Sequence, residues 1–155
     1  MAVRISSYLP EHGEYLAARL HPGNIAEAYA LYHLPPVEAI RKSVEHSQTA
    51  WTGFDRDGNP LAIFGIRGDL LGGVGYPWLV CREDIADHGL MFARWFRRVL
   101  DIFKGQYDEL LSLVYDGNEP MLHMLEWAGF SIGEARPYGV DGKLFRAARL
   151  TRGDD

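Results

Sequence analysis

The sequence has 155 residues, a formal net charge of −5 at pH 7, 47% hydrophobic residues and 24% charged residues. This length and apolar content fit one domain, residues 1–155, with one core, and the negative charge disfavours a nucleic-acid binder, which neutralises phosphates with Lys and Arg. The single cysteine, Cys81, excludes an internal disulfide and a Cys-based zinc site.

The first third of the chain predicts one strand followed by short helices. β-branched and aromatic residues predict a strand over residues 2–8, and Pro10 then fits the first turn of a helix. Asn24 and Glu27 have the spacing of an N-cap and its capping-box partner, which predicts that a second helix begins there. The two prolines of "PPVEAIRKSVEHS" fit the start of a third helix.

The middle of the chain predicts strands and then the longest helix. Asp57-Gly58-Asn59-Pro60 is a strong turn between two strands, and "VGYPWLV" is another strand, in which Pro77 indicates an edge or bulged position. The helix is predicted over "EDIADHGLMFARWFRRVLDIFKG". Glu83, Asp84 and Asp87 would then lie near its start, where the helix dipole favours acids.

The last third predicts a buried strand, a short helix and two final strands. Asn118 fits the N-cap of the helix, and Gly129 fits its C′ position. The strand–helix–strand unit at 74–115 predicts one parallel pair inside an otherwise antiparallel sheet. We therefore expect an α+β, three-layer fold with a mixed, mostly antiparallel sheet flanked by helices, and a cleft where the parallel strands diverge around a helix N-terminus.

This element order resembles the GNAT acyltransferase fold, and the spacing from Asn118 to Gly129-Phe130 is its most specific match. A narrower resemblance covers residues 24–145, through "GGVGYPWLV", "YDGNEPMLHMLEWAGF" and "PYGVDGKLF". It is to a GNAT-like family of podovirus-type bacteriophages, described as phage acetyltransferase-like or internal virion proteins. It implies a phage or prophage source, and phage or host proteins as partners.

The resemblance implies acetyl-coenzyme A (acetyl-CoA) as cofactor. GNAT proteins usually hold its pyrophosphate with a Gln/Arg-x-x-Gly-x-Gly/Ala loop, but "VCREDIADHG" has a single glycine and three acids, which would repel an anion. Backbone N–H groups would replace the glycines if the helix began near His88-Gly89. The cofactor-binding residues predicted in this way are Leu79, Val80, His88, Gly89, Leu90 and Asn118.

The catalytic residues are less clear in the sequence. Many GNAT enzymes have a tyrosine as general acid seven residues after the asparagine, and that place is Leu125 here. His123, Tyr115 and Tyr138 are alternative proton donors, and Glu27 is a candidate general base if it does not serve as a cap. The acceptor implied by the resemblance is an amine.

Three functions stay open on these observations. One is an acetyl-CoA-dependent N-acetyltransferase, and the second is a catalytically inactive structural, morphogenesis or internal virion protein that keeps the fold. The third, between them, is a binding module that retains CoA or another acyl carrier without turnover. No histidine pair has helical metal-ligand spacing, and no stretch approaches the ~20 apolar residues of a membrane span. We predict no metal, no membrane span and a cytoplasmic location, in the host cytoplasm or the virion if the protein is phage-encoded.

Overall fold

A computed structural model describes residues 4–69 and 71–151, with only the backbone at Asp69. The helices are α1 Pro10–Ala17, α2 Pro22–Tyr32, α3 Pro36–Glu45, α4 Gly89–Gln106 and α5 Glu119–Trp127, with a 3-10 turn at Ile85–His88. The strands are β1 Arg4–Ser7, β2 Thr49–Phe54, β3 Pro60–Asp69, β4 Val74–Cys81, β5 Glu109–Tyr115, β6 Ser131–Ile132, β7 Arg136–Tyr138 and β8 Lys143–Thr151.

These eight strands of the described chain form one sheet in the order β1-β2-β3-β4-β5-β8-β6, with β7 also paired to β8. All pairs are antiparallel except β4–β5. The predicted fold class is therefore confirmed. The end of the chain differs from prediction in that three strands, not two, follow α5.

Helices cover both faces of the sheet. On one face α4 and α5 pack on the main core, in which Trp95, Phe96 and Phe103 are almost fully buried. On the other face, α1 and α3 pack on a smaller cluster around Ile63, where Leu16 and Ile40 meet. The sheet thus forms the middle of three layers, as expected for an open sheet with apolar residues on both sides.

The short segment after β5 is close to its prediction. Gly129 has φ +104°, and the N–H groups of Gly129 and Phe130 donate to the carbonyls of Glu126 and Leu125. This double closure ends α5 and turns the chain into β6. Asn118 occupies the N-cap position of α5, but its side chain makes no capping bond and turns instead towards α2.

Two predicted helix starts are wrong. His21, not Asn24, is the N-cap of α2, and Pro22 fills its first turn. The long helix begins at Gly89, so Glu83, Asp84 and Asp87 lie before it and not in its first turn. The predicted strand start at residues 2–3 lies outside the described residues. Among those described, no helix is long and apolar enough to cross a membrane.

Candidate functional site

β4 and β5 separate soon after they meet. They pair only at Val74–Glu109 and Gly75–Leu110. Beyond these positions β4 continues to Cys81 and β5 to Tyr115 without pairing with each other. β4 remains paired with β3 along its whole length. The result is a gap between two parallel strands, open towards their carboxyl ends, which is where ligands bind in sheets of this kind.

The backbone of β4 offers hydrogen-bonding groups to this gap. Arg82 N–H donates to Leu61 C=O at 2.9 Å, so Ala62 and Cys81 form a non-hydrogen-bonded pair of the β3–β4 ladder. Because the pattern alternates, the N–H and C=O of Leu79 also point away from β3 and into the gap. Pro77 occupies the same kind of position. The predicted edge position of Pro77 is therefore confirmed, without a bulge, because β4 no longer pairs with β5 there, and the missing N–H costs the β3–β4 ladder nothing.

A cavity of about 160 Å³ occupies the mouth of the gap. Its walls are mainly apolar, and the polar side chains that line it are His21, Asn24 and Asn118. Other lining residues come from the ends of β4, α4 and α5: Leu79, Cys81, Gly89, Phe92, Met121 and Met124. A smaller cavity of about 40 Å³ continues along the gap between Leu79 and Ser112.

Helix α2 spans the open end of the gap and contacts both strands. Asn24 Oδ1 accepts the N–H of Cys81 at 3.0 Å, and the Cys81 carbonyl accepts the N–H of His21 at 2.9 Å. Three residues later, Glu27 Oε2 accepts the N–H of Tyr115 at 3.0 Å. Neither Asn24 nor Glu27 is thus part of a capping box. They fix α2 to the ends of β4 and β5.

The Glu27 carboxylate is the most perturbed acid of the site. Burial raises its pKa from 4.5 to about 7, although hydrogen bonds from Tyr115 N–H and the Asn118 amide, at 3.0 and 3.4 Å, act in the opposite direction. A carboxyl group whose pKa is raised this far can take up a proton near neutral pH. It is therefore suited to accept a proton from a substrate.

Close packing between α2 and α5 holds Asn118 in place. A Cβ at Gly23 would lie 2.4 Å from Asn118 Oδ1, so any larger residue there would have to displace the Asn118 side chain. The Gly23 N–H donates to His21 Nδ1 at 3.0 Å, which leaves Nε2 as the protonated nitrogen of a neutral His21 ring. The cavity wall therefore includes one imidazole whose tautomer is fixed by the first turn of α2.

Three of the six predicted cofactor-binding residues line the cavity and three do not. Leu79, Gly89 and Asn118 line the cavity. Val80 lies on the opposite face with the cluster around Ile63, and Leu90 is 70% exposed. The His88 ring contacts Arg82 and Asp84 just before α4 begins.

None of the predicted catalytic residues, Glu27, Tyr115 and His123, is among the residues that line the cavity. The Glu27 carboxylate lies next to it, where Oε2 accepts a hydrogen bond from Asn118, a lining residue. His123 is exposed on α5, and Leu125 is buried in the core below that helix. Tyr115 contributes its backbone N–H to Glu27, while its ring lies 5.6 Å from that of Phe145. The ring of Tyr138 also packs against Phe145, at 5.6 Å between centroids, and is half exposed.

The sequence reading missed His21 and the two methionines that line the cavity, Met121 and Met124. The His21-Pro22 pair carried a usable signal, because proline favours the first helical position and the residue before it is then the N-cap. Within residues 4–69 and 71–151, no group of three or more His, Cys, Asp or Glu side chains can hold a metal ion.

Comparison with solved structures identifies the fold. The chain is similar to the spermidine N-acetyltransferase from Vibrio cholerae, solved in complex with CoA and spermine, with a TM-score of 0.73 and 11% identity over 98% of this chain and 96% of that chain. It is also similar to an acetyltransferase of the GNAT family from Streptococcus pneumoniae, with a TM-score of 0.64 and 14% identity over 97% and 99%. No protein-family model matches the sequence, and no curated protein does.

The class defined by these observations is that of GNAT-fold proteins, whose solved examples include an N-acetyltransferase with CoA bound. The identities are low, so the likeness concerns the fold. What this chain does must be argued from its own site.

Proposed function

We propose that the protein is an acyl-CoA-dependent N-acyltransferase that transfers an acetyl group from acetyl-CoA to an amine. The observation that carries the proposal is Glu27. A carboxyl group with a pKa of about 7 is held at the mouth of a gap between two parallel strands. A solved neighbour of the same fold carries CoA and an amine, spermine.

The gap fits the extended arm of CoA. The N–H and C=O of Leu79 point into it, so an arm that carries amide groups can pair with β4 as an extra strand would. Gly89 begins α4 at the cavity wall, and nothing lies within 4 Å of the position that its Cβ would take. Backbone N–H groups at a helix N-terminus favour a phosphate there.

Glu27 supplies the base that the chemistry needs. An amine is mostly an ammonium ion at neutral pH and must lose a proton before it can attack. The Glu27 carboxylate accepts that proton at Oε1, because Oε2 already accepts the N–H of Tyr115 and the Asn118 amide. The new C–N bond forms at the thioester carbon, and the C–S bond breaks. The second proton of the amine nitrogen leaves to water, and water protonates the sulfur, because Leu125 has no proton to give. The absence of a general acid is expected to slow turnover by about 10²-fold or more.

A structural protein of phage type is the second candidate. It is favoured by Leu125, which is buried in the core, and by the exposed acids Glu83 and Asp87 before α4. In that case the fold would serve phage assembly in the host cytoplasm or the virion, without turnover. Such a protein would co-purify with phage particles, and its cavity mutants would assemble normally.

Two measurements separate the candidates. Acetyl-CoA at millimolar concentration is expected to raise the melting temperature, because a ligand of the native state stabilises it. A thiol-release assay with a panel of amines is expected to show turnover that falls about 10²-fold or more in Glu27→Gln and is unchanged in Glu126→Gln, an exposed glutamate on α5. If the protein shows no melting shift with acetyl-CoA and no thiol release, the transferase is contradicted and the structural candidate is left.

A further inference from the structure

The loop between β4 and α4 is built around one buried arginine. Arg82 is 7% exposed, and its guanidinium contacts three segments of the chain. Nε and Nη2 donate to both carboxylate oxygens of Asp84, at 2.6 and 3.1 Å. Nη1 lies 2.9 Å from Asp55 Oδ2 and donates to the Pro60 carbonyl at 3.0 Å. A two-oxygen contact of this kind fixes both partners in one plane.

The same cluster reaches the last residue before α4. His88 Nε2 lies 3.4 Å from Arg82 Nη2 and 3.4 Å from Asp84 Oδ2. Contacts between residues 82, 84 and 88 thus close the loop on itself. They set where Gly89, the first residue of α4, lies relative to the end of β4.

The other end of the cluster is rigid. Asp55 Oδ1 accepts the N–H groups of Asp57 and Asn59, both at 2.9 Å, so the turn between β2 and β3 is itself tied down. Arg82 therefore joins the loop to a fixed part of the sheet. Hydrogen bonds from Arg82 hold the pKa of the Asp84 carboxyl below its usual value, so this carboxylate stays ionised and its negative charge is compensated by the guanidinium.

We propose that Arg82 and Asp84 are positioning residues for cofactor binding: their ion pair holds the loop so that the backbone N–H groups at the start of α4 face the pyrophosphate of CoA. This rests on the proposed function and extends it. The ion pair thus presents backbone N–H groups to the pyrophosphate, as a glycine-rich loop does by letting the backbone approach the phosphates closely. The acidic residues of the loop then divide into one that builds the site, Asp84, and two that only add negative charge, Glu83 and Asp87.

The test compares two variants of equal charge. Asp84→Asn removes the charge and one of the two acceptor oxygens that Arg82 contacts, and it leaves the Arg82–Asp55 pair in place, so the guanidinium stays paired. Asp87→Asn removes the same charge from an exposed residue of the loop that does not contact Arg82. Simple charge repulsion predicts tighter CoA binding in both variants. The positioning role predicts weaker CoA binding in Asp84→Asn and equal or tighter CoA binding in Asp87→Asn.

Binding of CoA and of pantetheine, which lacks the pyrophosphate and nucleotide, is measured by calorimetry or NMR titration. Asp84→Asn is expected to weaken CoA binding on the order of tenfold, the loss of one charge-assisted hydrogen bond, with pantetheine binding unchanged. Asp87→Asn is expected to bind CoA at least as tightly as the original protein. Equal behaviour of the two variants, or equal loss of CoA and pantetheine in Asp84→Asn, overturns the proposal.

Hydrogen exchange without ligand gives a readout that does not depend on CoA. The amides of residues 83–90 are expected to exchange faster in Asp84→Asn than in Asp87→Asn, and equal rates overturn the ion pair as the device that orders the loop. An original protein that binds no CoA at all would refute the proposed function, and the role towards pyrophosphate with it. If the original protein binds CoA and the two variants bind it with equal affinity, only the positioning role is refuted.

Discussion

Replacement of Glu27 by glutamine is expected to raise stability at pH 8 and lower activity. The pKa of Glu27 is 4.5 when unperturbed and about 7 in the folded protein, so the folded state binds the extra proton between these values. Stability of the original protein therefore falls as the pH rises through this window. Glutamine keeps the shape and an oxygen that can accept the N–H of Tyr115, but it carries no charge.

The size of the effect follows from the two pKa values. A difference of about 2.5 pH units at about 1.36 kcal/mol each gives about 3 kcal/mol, and partial exposure of the side chain reduces this to about 2–3 kcal/mol. For a chain of this length it corresponds to a melting temperature about 5–10 °C higher in Glu27→Gln at pH 8. At pH 4.5 the variant and the original protein are expected to melt within about 2 °C of each other.

The assay is urea or thermal unfolding at both pH values, with Glu126→Gln as the control for loss of a surface charge. The exposed Glu126 has no such contact with Tyr115 and Asn118, so its variant should show no comparable pH-dependent gain. A Glu27→Gln variant with the same stability difference at pH 4.5 and pH 8 would refute a raised pKa. It would also remove the main argument for Glu27 as base.

Three further substitutions probe the cleft and the core separately. Gly23→Ala places a Cβ 2.4 Å from Asn118 Oδ1 and is expected to weaken CoA binding in a titration by displacing that side chain; unchanged affinity would contradict the packing argument. Gly89→Leu adds its side chain to open space at the cavity wall, so the melting temperature should hold within about 2 °C while the shift on addition of CoA disappears. Thr52→Val removes the hydroxyl 2.8 Å from His12 Nδ1 in a buried site and is expected to cost about 1 kcal/mol in urea unfolding without loss of CoA binding.

The sequence predicted local structure well where one short segment decides it. Gly129 illustrates this, because a left-handed residue after a helix and an apolar residue next to it define the end of α5 by themselves. The fold class followed from the order of such elements.

The site was harder to predict because its contacts join distant residues. Glu27 lies 88 residues from Tyr115, and a spacing of three from Asn24 suggested a cap that the helix does not use. The acids before α4 were assigned to the helix dipole, since nothing in the sequence says that Asp84 would bind the side chain of Arg82. Sequence spacing alone does not tell a capping glutamate from one that binds a distant strand, or a helix-dipole acid from one that pairs with an arginine. The three-dimensional packing of distant residues does.

The bridge that α2 makes between β4 and β5 has a consequence for how this fold can change in length. Asn24 and Glu27, which reach the two strand ends, are three residues apart on one helix and so about 4.5 Å apart along its axis. One residue inserted between them would rotate Glu27 by about 100° around the helix and take it away from Tyr115. Natural or engineered variants should therefore accept insertions in the exposed turn at 139–142 far more readily than in this single turn of helix.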